Sequence, residues 1–250
     1  MSDADLRFWF DPVCPFAWMT SQWVRVVQRQ REPAGDPLVV EWRLISLRLL
    51  NRAVDYDAQF PPEYAAGHTA GLRLLRVAAR TREEHGGEAL GRLYAALGAA
   101  IFDTPHDGSW TDAAHQLDAR GTRDFLAPVL ASCDLPAELA DALDDESRDA
   151  ALQAETDEAL ALTGRDVGTP ILQVDPPHGA AFFGPVISRL PDEDAAVELW
   201  DHVVGLARFA GFAELKRSLR ERPQLAGLGV AVDEVGQQED WHGGSRRQHR

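Results

Sequence analysis

Leu6, Phe8 and Phe10 alternate with Arg7, Trp9 and Asp11, the period of a strand, and the pattern ends at Pro12. Phe16, Met19, Trp23 and Val26 then recur at the spacing of one helix face. They predict a helix that closes near Arg31, before the turn at 33–37. Val40, Trp42 and Leu44 alternate with Glu41 and Arg43 in a second strand. Roughly thirty residues separate the two strands, enough for a right-handed parallel crossover.

From about residue 61 to 164 the pattern is helical throughout. Leu72, Leu75, Ala79 and Arg82 form a stripe that is predicted to stop at His85-Gly86-Gly87. Leu90, Leu93, Leu97 and Ile101 form the next, and further helices are expected at 110–119, 121–132, 138–143 and 147–162. Strand character returns at 170–174. A Pro-Pro-His-Gly turn at 176–179 and Ala180 to Phe183 complete a hairpin. A helix at 192–208 and a shorter one at 211–219 follow.

The order β-α-β, helical block, β-β-α predicts an α/β thioredoxin fold with a large helical insertion between its halves. Residues 1–55 and 165–222 would form the thioredoxin-like domain, and 56–164 the insertion. From Pro223 the chain is polar and Gly-rich without periodicity, so 223–250 is predicted to be a disordered tail.

A formal charge of −15 over 250 residues argues against nucleic acid or an anionic membrane as a partner, since both need a basic face. No run of 18 apolar residues is present to span a bilayer. The acidic start Met1-Ser2-Asp3-Ala4-Asp5 lacks the features of a signal peptide, so a cytoplasmic location is expected. With Cys14 and Cys133 the only cysteines, there is no disulfide framework.

The chemistry concentrates where the first strand meets the first helix. Cys14-Pro15 puts a thiol at or beside the helix N-cap, with proline at the first helical position, where its missing N–H costs nothing. A thiolate there faces unpaired backbone N–H groups and the positive end of the macrodipole. Cys14 is therefore the candidate nucleophile. A dithiol motif would place its second cysteine at 17, and this chain has Ala17. The second signal is Val167-Gly168-Thr169-Pro170. A proline opening a strand in a sheet-forming segment is unusual, and a cis Thr169–Pro170 bond would account for it.

These residues carry a resemblance. The runs from Phe8 to Pro15, Val167 to Pro170, Phe182 to Val186 and Phe212 to Arg217 resemble the DsbA-like thioredoxin family. Within it they are most similar to the mycothiol-dependent nitroreductase group of actinobacteria. The resemblance covers 6–220 and implies a flavin-free, metal-free thiol reductase that takes its electrons from mycothiol. It implies that Cys14 is the nucleophile and Pro170 the cis-proline facing it, with Pro15, Phe16, Thr169 and Pro170 meeting the bound thiol. The family's resolving cysteine falls on Ala17. Loss of that second thiol removes the dithiol cycle but leaves mixed-disulfide chemistry, which a thiol from solution can complete.

The expected function is a monothiol oxidoreductase working with mycothiol on disulfide, nitro or other electrophilic substrates, as a monomer or homodimer. Two alternatives stand beside it: a kappa-class glutathione-transferase-like or isomerase activity, and a non-catalytic thiol-binding or chaperone-like module. His85 is a candidate accessory residue, although a helix-terminal histidine interacting with the dipole reads the same way. Cys133 reads as a small buried hydrophobe. His68, His106 and His115 read as solvated or hydrogen-bonded, Asp103, Asp107 and Asp112 as a polar loop, and Trp18 and Trp23 as core.

Overall fold

The structure, a computed structural model, describes residues 4–105, 112–217, 220–231 and 234–239. Its centre is a four-stranded sheet of β1 (Leu6–Phe10), β2 (Val40–Leu44), β3 (Ile171–Val174) and β4 (Ala181–Phe183), in the order β2-β1-β3-β4. β1 and β2 run parallel with Phe8 opposite Trp42. β3 is antiparallel to both β1 and β4. This is the thioredoxin topology, and the long stretch between β2 and β3 holds the helical insertion.

Alternation along β1 separates the two faces of the sheet. Leu6, Phe8 and Phe10 enter the main core, where Phe8 packs on Trp42 and Phe10 stacks on Tyr94 at 3.6 Å. Trp9 points the other way and joins Ile45, Ile171 and Ala159 in a smaller cluster. On the main-core side lies α1 (Pro15–Arg31), which buries Phe16, Trp18, Met19, Trp23 and Val27. α1 packs against a later helix, Glu193–Arg208. The Trp23 indole N–H donates to Ala196 O (3.0 Å), and the Trp23 ring meets Trp200 edge-on.

The insertion begins with two short helices, α2 (Leu47–Leu50) and α3 (Tyr56–Gln59), and then α4 (Pro62–Gly98). The stop predicted at His85-Gly86-Gly87 is instead a kink within α4. Gly86 takes φ 85° and ψ 177°, a conformation open to glycine, and helix resumes beyond it. α4 runs into a π-helical turn, Ala99–Asp103. There Asp103 accepts from the Trp18 indole N–H (3.0 Å) and from Gln22 (3.2 Å), tying the insertion to α1. Asp103 is thus a link between elements, whereas Asp107 lies outside the described residues.

α5 (Ala113–Ala119), α6 (Arg123–Ser132) and α7 (Asp149–Thr163) follow, the Asp112 carboxylate capping α5 through His115 N–H. The helix expected at 138–143 is a 3₁₀ turn, Ala137–Asp144. α7 is fixed by a buried carboxylate. Glu155 accepts from both arms of Arg82 (2.8 and 2.7 Å), from Arg43 (2.6 Å) and from Leu44 N–H (3.0 Å). α8 is the helix already met, Glu193–Arg208.

Two expectations near the C-terminus are corrected. Residues 211–217 form no helix. Phe212 turns back onto Phe182 of β4 (ring centres 5.6 Å apart), and Leu215 is exposed. The segment after Pro223, predicted as disordered, docks on the body across its described part. Leu225 is 4% exposed within the main core, and Val230 is buried. The backbone at Gly227 comes so close to the π turn that a Cβ there would lie 2.6 Å from Ile101 O. Two short strands, β5 (Arg220–Glu221) and β6 (Gln238–Glu239), pair beside it. Among the described residues no helix is long and apolar enough to cross a membrane.

Candidate functional site

Cys14 caps the N-terminus of α1 in extended backbone geometry (φ −87°, ψ 113°), with Pro15 in the first turn. The Ala17 N–H donates to its Sγ at 3.5 Å, so one free N–H of the helix start points at the sulfur. On the other side Cys14 Sγ donates to Thr169 O at 3.3 Å, across 155 positions of sequence. The Thr169–Pro170 bond is cis, and the Thr169 hydroxyl donates to Trp9 O (2.9 Å), pinning the loop to the end of β1. The sheet order makes this meeting possible, because β1, which leads into Cys14, lies beside β3, which Pro170 opens.

The thiol is 7% exposed and Thr169 5%. Pro15 is half-buried at the helix start, whereas Phe16 turns into the core at 6% exposure. Ala17 is fully buried one helical turn from Cys14. The sulfur therefore sits between an N–H donor that favours a thiolate and a backbone carbonyl that can accept from an incoming thiol or amide.

The other residues singled out from the sequence fall elsewhere. His85 is exposed beside the α4 kink, its Nε2 4.0 Å from Glu84. Its near neighbours Gly87 and Glu88 line a cavity of about 530 Å³ with Arg25, Gln28, Val39 and Val40. That cavity lies at the far half of α1 from Cys14. Cys133 ends α6, is 8% exposed, and its Sγ donates back to Val129 O (3.3 Å) and Leu130 O (3.4 Å). Burial pushes its thiol up, which suits an inert side chain. Trp18 and Trp23 are core, as expected. His115 is exposed, and His106 lies outside the described residues.

His68 has a more specific setting. Its Nδ1 is 3.0 Å from Tyr56 Oη, among the rings of Tyr56, Phe60 and Tyr64, with the Arg48 guanidinium 4.6 Å over Tyr56. Burial, with Arg48 nearby, lowers its pKa to about 4, so the ring is neutral at physiological pH.

A residue the sequence reading passed over is Asp11. It is fully buried, its Oδ1 accepting from Val13 N–H (3.0 Å) and its Oδ2 from Leu47 N–H (2.8 Å). The available signal was a charged residue directly after three consecutive aromatic ones. Among the described residues, no group of three or more potential metal ligands is clustered.

A cysteine at a helix N-terminus facing a cis-proline loop, on a sheet of order β2-β1-β3-β4, defines a thioredoxin-fold protein. The comparisons narrow the class. The profile of the Rv2466c-like family, described as mycothiol-dependent nitroreductase Rv2466c, matches residues 13–217, and the chain belongs to this family. It is 30% identical over 214 residues to the uncharacterized protein Rv2286c of Mycobacterium tuberculosis, covering 84% of this chain and 80% of that one. A solved structure titled probable DsbA oxidoreductase SCO1869, from Streptomyces coelicolor, aligns with a TM-score of 0.48 and 14% identity. The alignment covers 93% of this chain and 98% of the other.

Proposed function

We propose that this protein is a monothiol oxidoreductase that uses Cys14 and mycothiol through a mixed disulfide. The observation that carries the reading is the placement of Cys14 Sγ between Ala17 N–H and Thr169 O, with a buried alanine where a second thiol would stand. Membership of a family described as mycothiol-dependent supports the choice of thiol.

In the first step the Cys14 thiolate attacks one sulfur of a disulfide. A new S–S bond forms to Cys14, the old one breaks, and the leaving thiolate takes a proton from solvent. Ala17 cannot resolve the adduct, so the thiolate of a mycothiol attacks the sulfur bound to Cys14; the bond to Cys14 breaks, its thiolate is regenerated, and mycothiol leaves in a disulfide with the substrate sulfur. The family description extends the reading to nitro compounds. There, two thiols supply two electrons and two protons, a nitro group becomes nitroso and water, and a disulfide between Cys14 and mycothiol remains. Half-buried Pro15 and the buried Thr169–Pro170 loop flank the sulfur, and the small thiol would meet them there.

The test is the intact mass of the reduced protein after exposure to mycothiol disulfide. One reductant-labile adduct of one mycothiol is expected on the wild type and on Cys133→Ala, and none on Cys14→Ser. An adduct that persists in Cys14→Ser, or none on the wild type, would overturn the assignment.

A further inference from the structure

Asp11 is fully buried at the end of β1, three residues before the thiol. Burying a carboxylate is costly unless its oxygens are hydrogen-bonded, and here both are. Its surroundings are built around it. One oxygen accepts from Val13 N–H and the other from Leu47 N–H, while its own backbone carbonyl accepts from Cys14 N–H at 3.0 Å. The 11–14 turn is thereby closed by main-chain and side-chain bonds together and fastened to the start of α2. α4 leaves room for this at Gly71, where a Cβ would lie 2.8 Å from Asp11 Oδ1 and 2.7 Å from Val13 Cγ2.

We propose that Asp11 is a positioning residue for the reaction of Cys14: its carboxylate holds the turn that presents the thiol, and its protonation releases one of the two anchors. The inference rests on Cys14 being the reacting group. A carboxylate accepts at both oxygens, whereas a carboxylic acid presents an O–H to one of the two N–H groups, and that hydrogen bond is lost.

The environment brings this change into the working range. Burial raises the Asp11 pKa to about 7, against the lowering effect of the Leu47 and Val13 N–H groups. The titratable groups that face it are Cys14 at the head of α1, Tyr56 of α3 and Tyr94 of α4. Burial raises both tyrosines, and His68 further along α4 is lowered to about 4. Asp11 is the carboxylate in this set that changes charge around neutrality.

The experiment is the rate of Cys14 alkylation by iodoacetamide from pH 5 to 10 in the Cys133→Ala background. With Asp11 intact the rate should show two inflections, one for the thiol and one near pH 7. Asp11→Asn should lose the one near 7 and react about tenfold more slowly on the alkaline plateau, the effect of one anchoring hydrogen bond. A folded Asp11→Asn variant with an unchanged profile and rate would overturn the proposal. Should that variant fail to fold, ¹³C NMR of the Asp11 carboxyl in the unmutated site replaces it. Titration of that signal together with the inflection near 7 supports the role, and a single-inflection profile contradicts it. Because alkylation needs no mycothiol, failure of mycothiol exchange would leave this result standing by itself.

Discussion

Replacing Leu225 with alanine asks whether the segment beyond Pro223 is part of the folded body. Leu225 is 4% exposed in the main core, and the turn that carries it lies against Ile101 and Phe102 of the π turn. That turn also holds Asp103, the acceptor for Trp18 of α1. Truncating a buried leucine to alanine costs about 2–5 kcal/mol, the transfer of the lost groups plus the cavity left behind. A short 3₁₀ turn collapses around a lost side chain more readily than a helix interior, which favours the lower part of that range. A loss of about 2–3 kcal/mol corresponds to a fall in Tm of about 4–12 °C for a chain of this size. Urea unfolding followed by tryptophan fluorescence measures the free energy, with Leu215→Ala, at a 79% exposed side chain, as the reference. If Leu225→Ala unfolds at the same urea concentration as Leu215→Ala, the segment is not docked and the tail is dispensable.

Other outcomes follow from the same geometry. Ala17→Cys places a thiol one helical turn from Cys14, within the spacing a disulfide tolerates. The variant should close an internal disulfide on oxidation and resolve its adducts without added thiol, read by thiol counting before and after an oxidant. Glu155 is pushed up by burial, but pairing with Arg82, the Leu44 N–H and Arg43 outweighs this and holds its carboxyl below the usual range. Its stabilisation is therefore full above the unfolded value of about 4.3 and is lost as pH falls through the lower folded value. Glu155→Gln should cost about 3 kcal/mol at pH 7 and flatten the acid limb of the stability profile, checked by urea melts from pH 2.5 to 7. Cys133→Ala should leave Cys14 alkylation unchanged, measured as the rate of single-site labelling.

Much of the fold was legible because the sheet elements carry strict alternation and α1 carries a clear stripe. Leu6, Phe8 and Phe10 against Trp9 predict two faces, and the structure fills them with two separate clusters. The pairing of Cys14 with the Thr169–Pro170 loop was also readable, since a proline opening a strand is rare enough to mark its purpose. What escaped had weak local signals. Gly86-Gly87 looks like a helix stop, but a single glycine at positive φ absorbs the break and α4 continues. Leu225, Leu228 and Val230 are spaced by glycines and alanine around a three-residue turn, so no regular period announces that they dock. A short helix was expected at 211–219, yet Phe212 packs on Phe182 from irregular backbone. Asp11 occupied a polar slot in an alternating strand, and only the approach of α2 and Gly71 shows that this slot is closed to water.

If Cys14 works alone and is resolved from solution, the single-turnover decay of the preformed Cys14–mycothiol disulfide at high dilution depends on added mycothiol. A rate that rises linearly with mycothiol from an intercept of zero is the predicted result. A finite rate without added thiol, with Cys133 consumed as the adduct disappears, would contradict it.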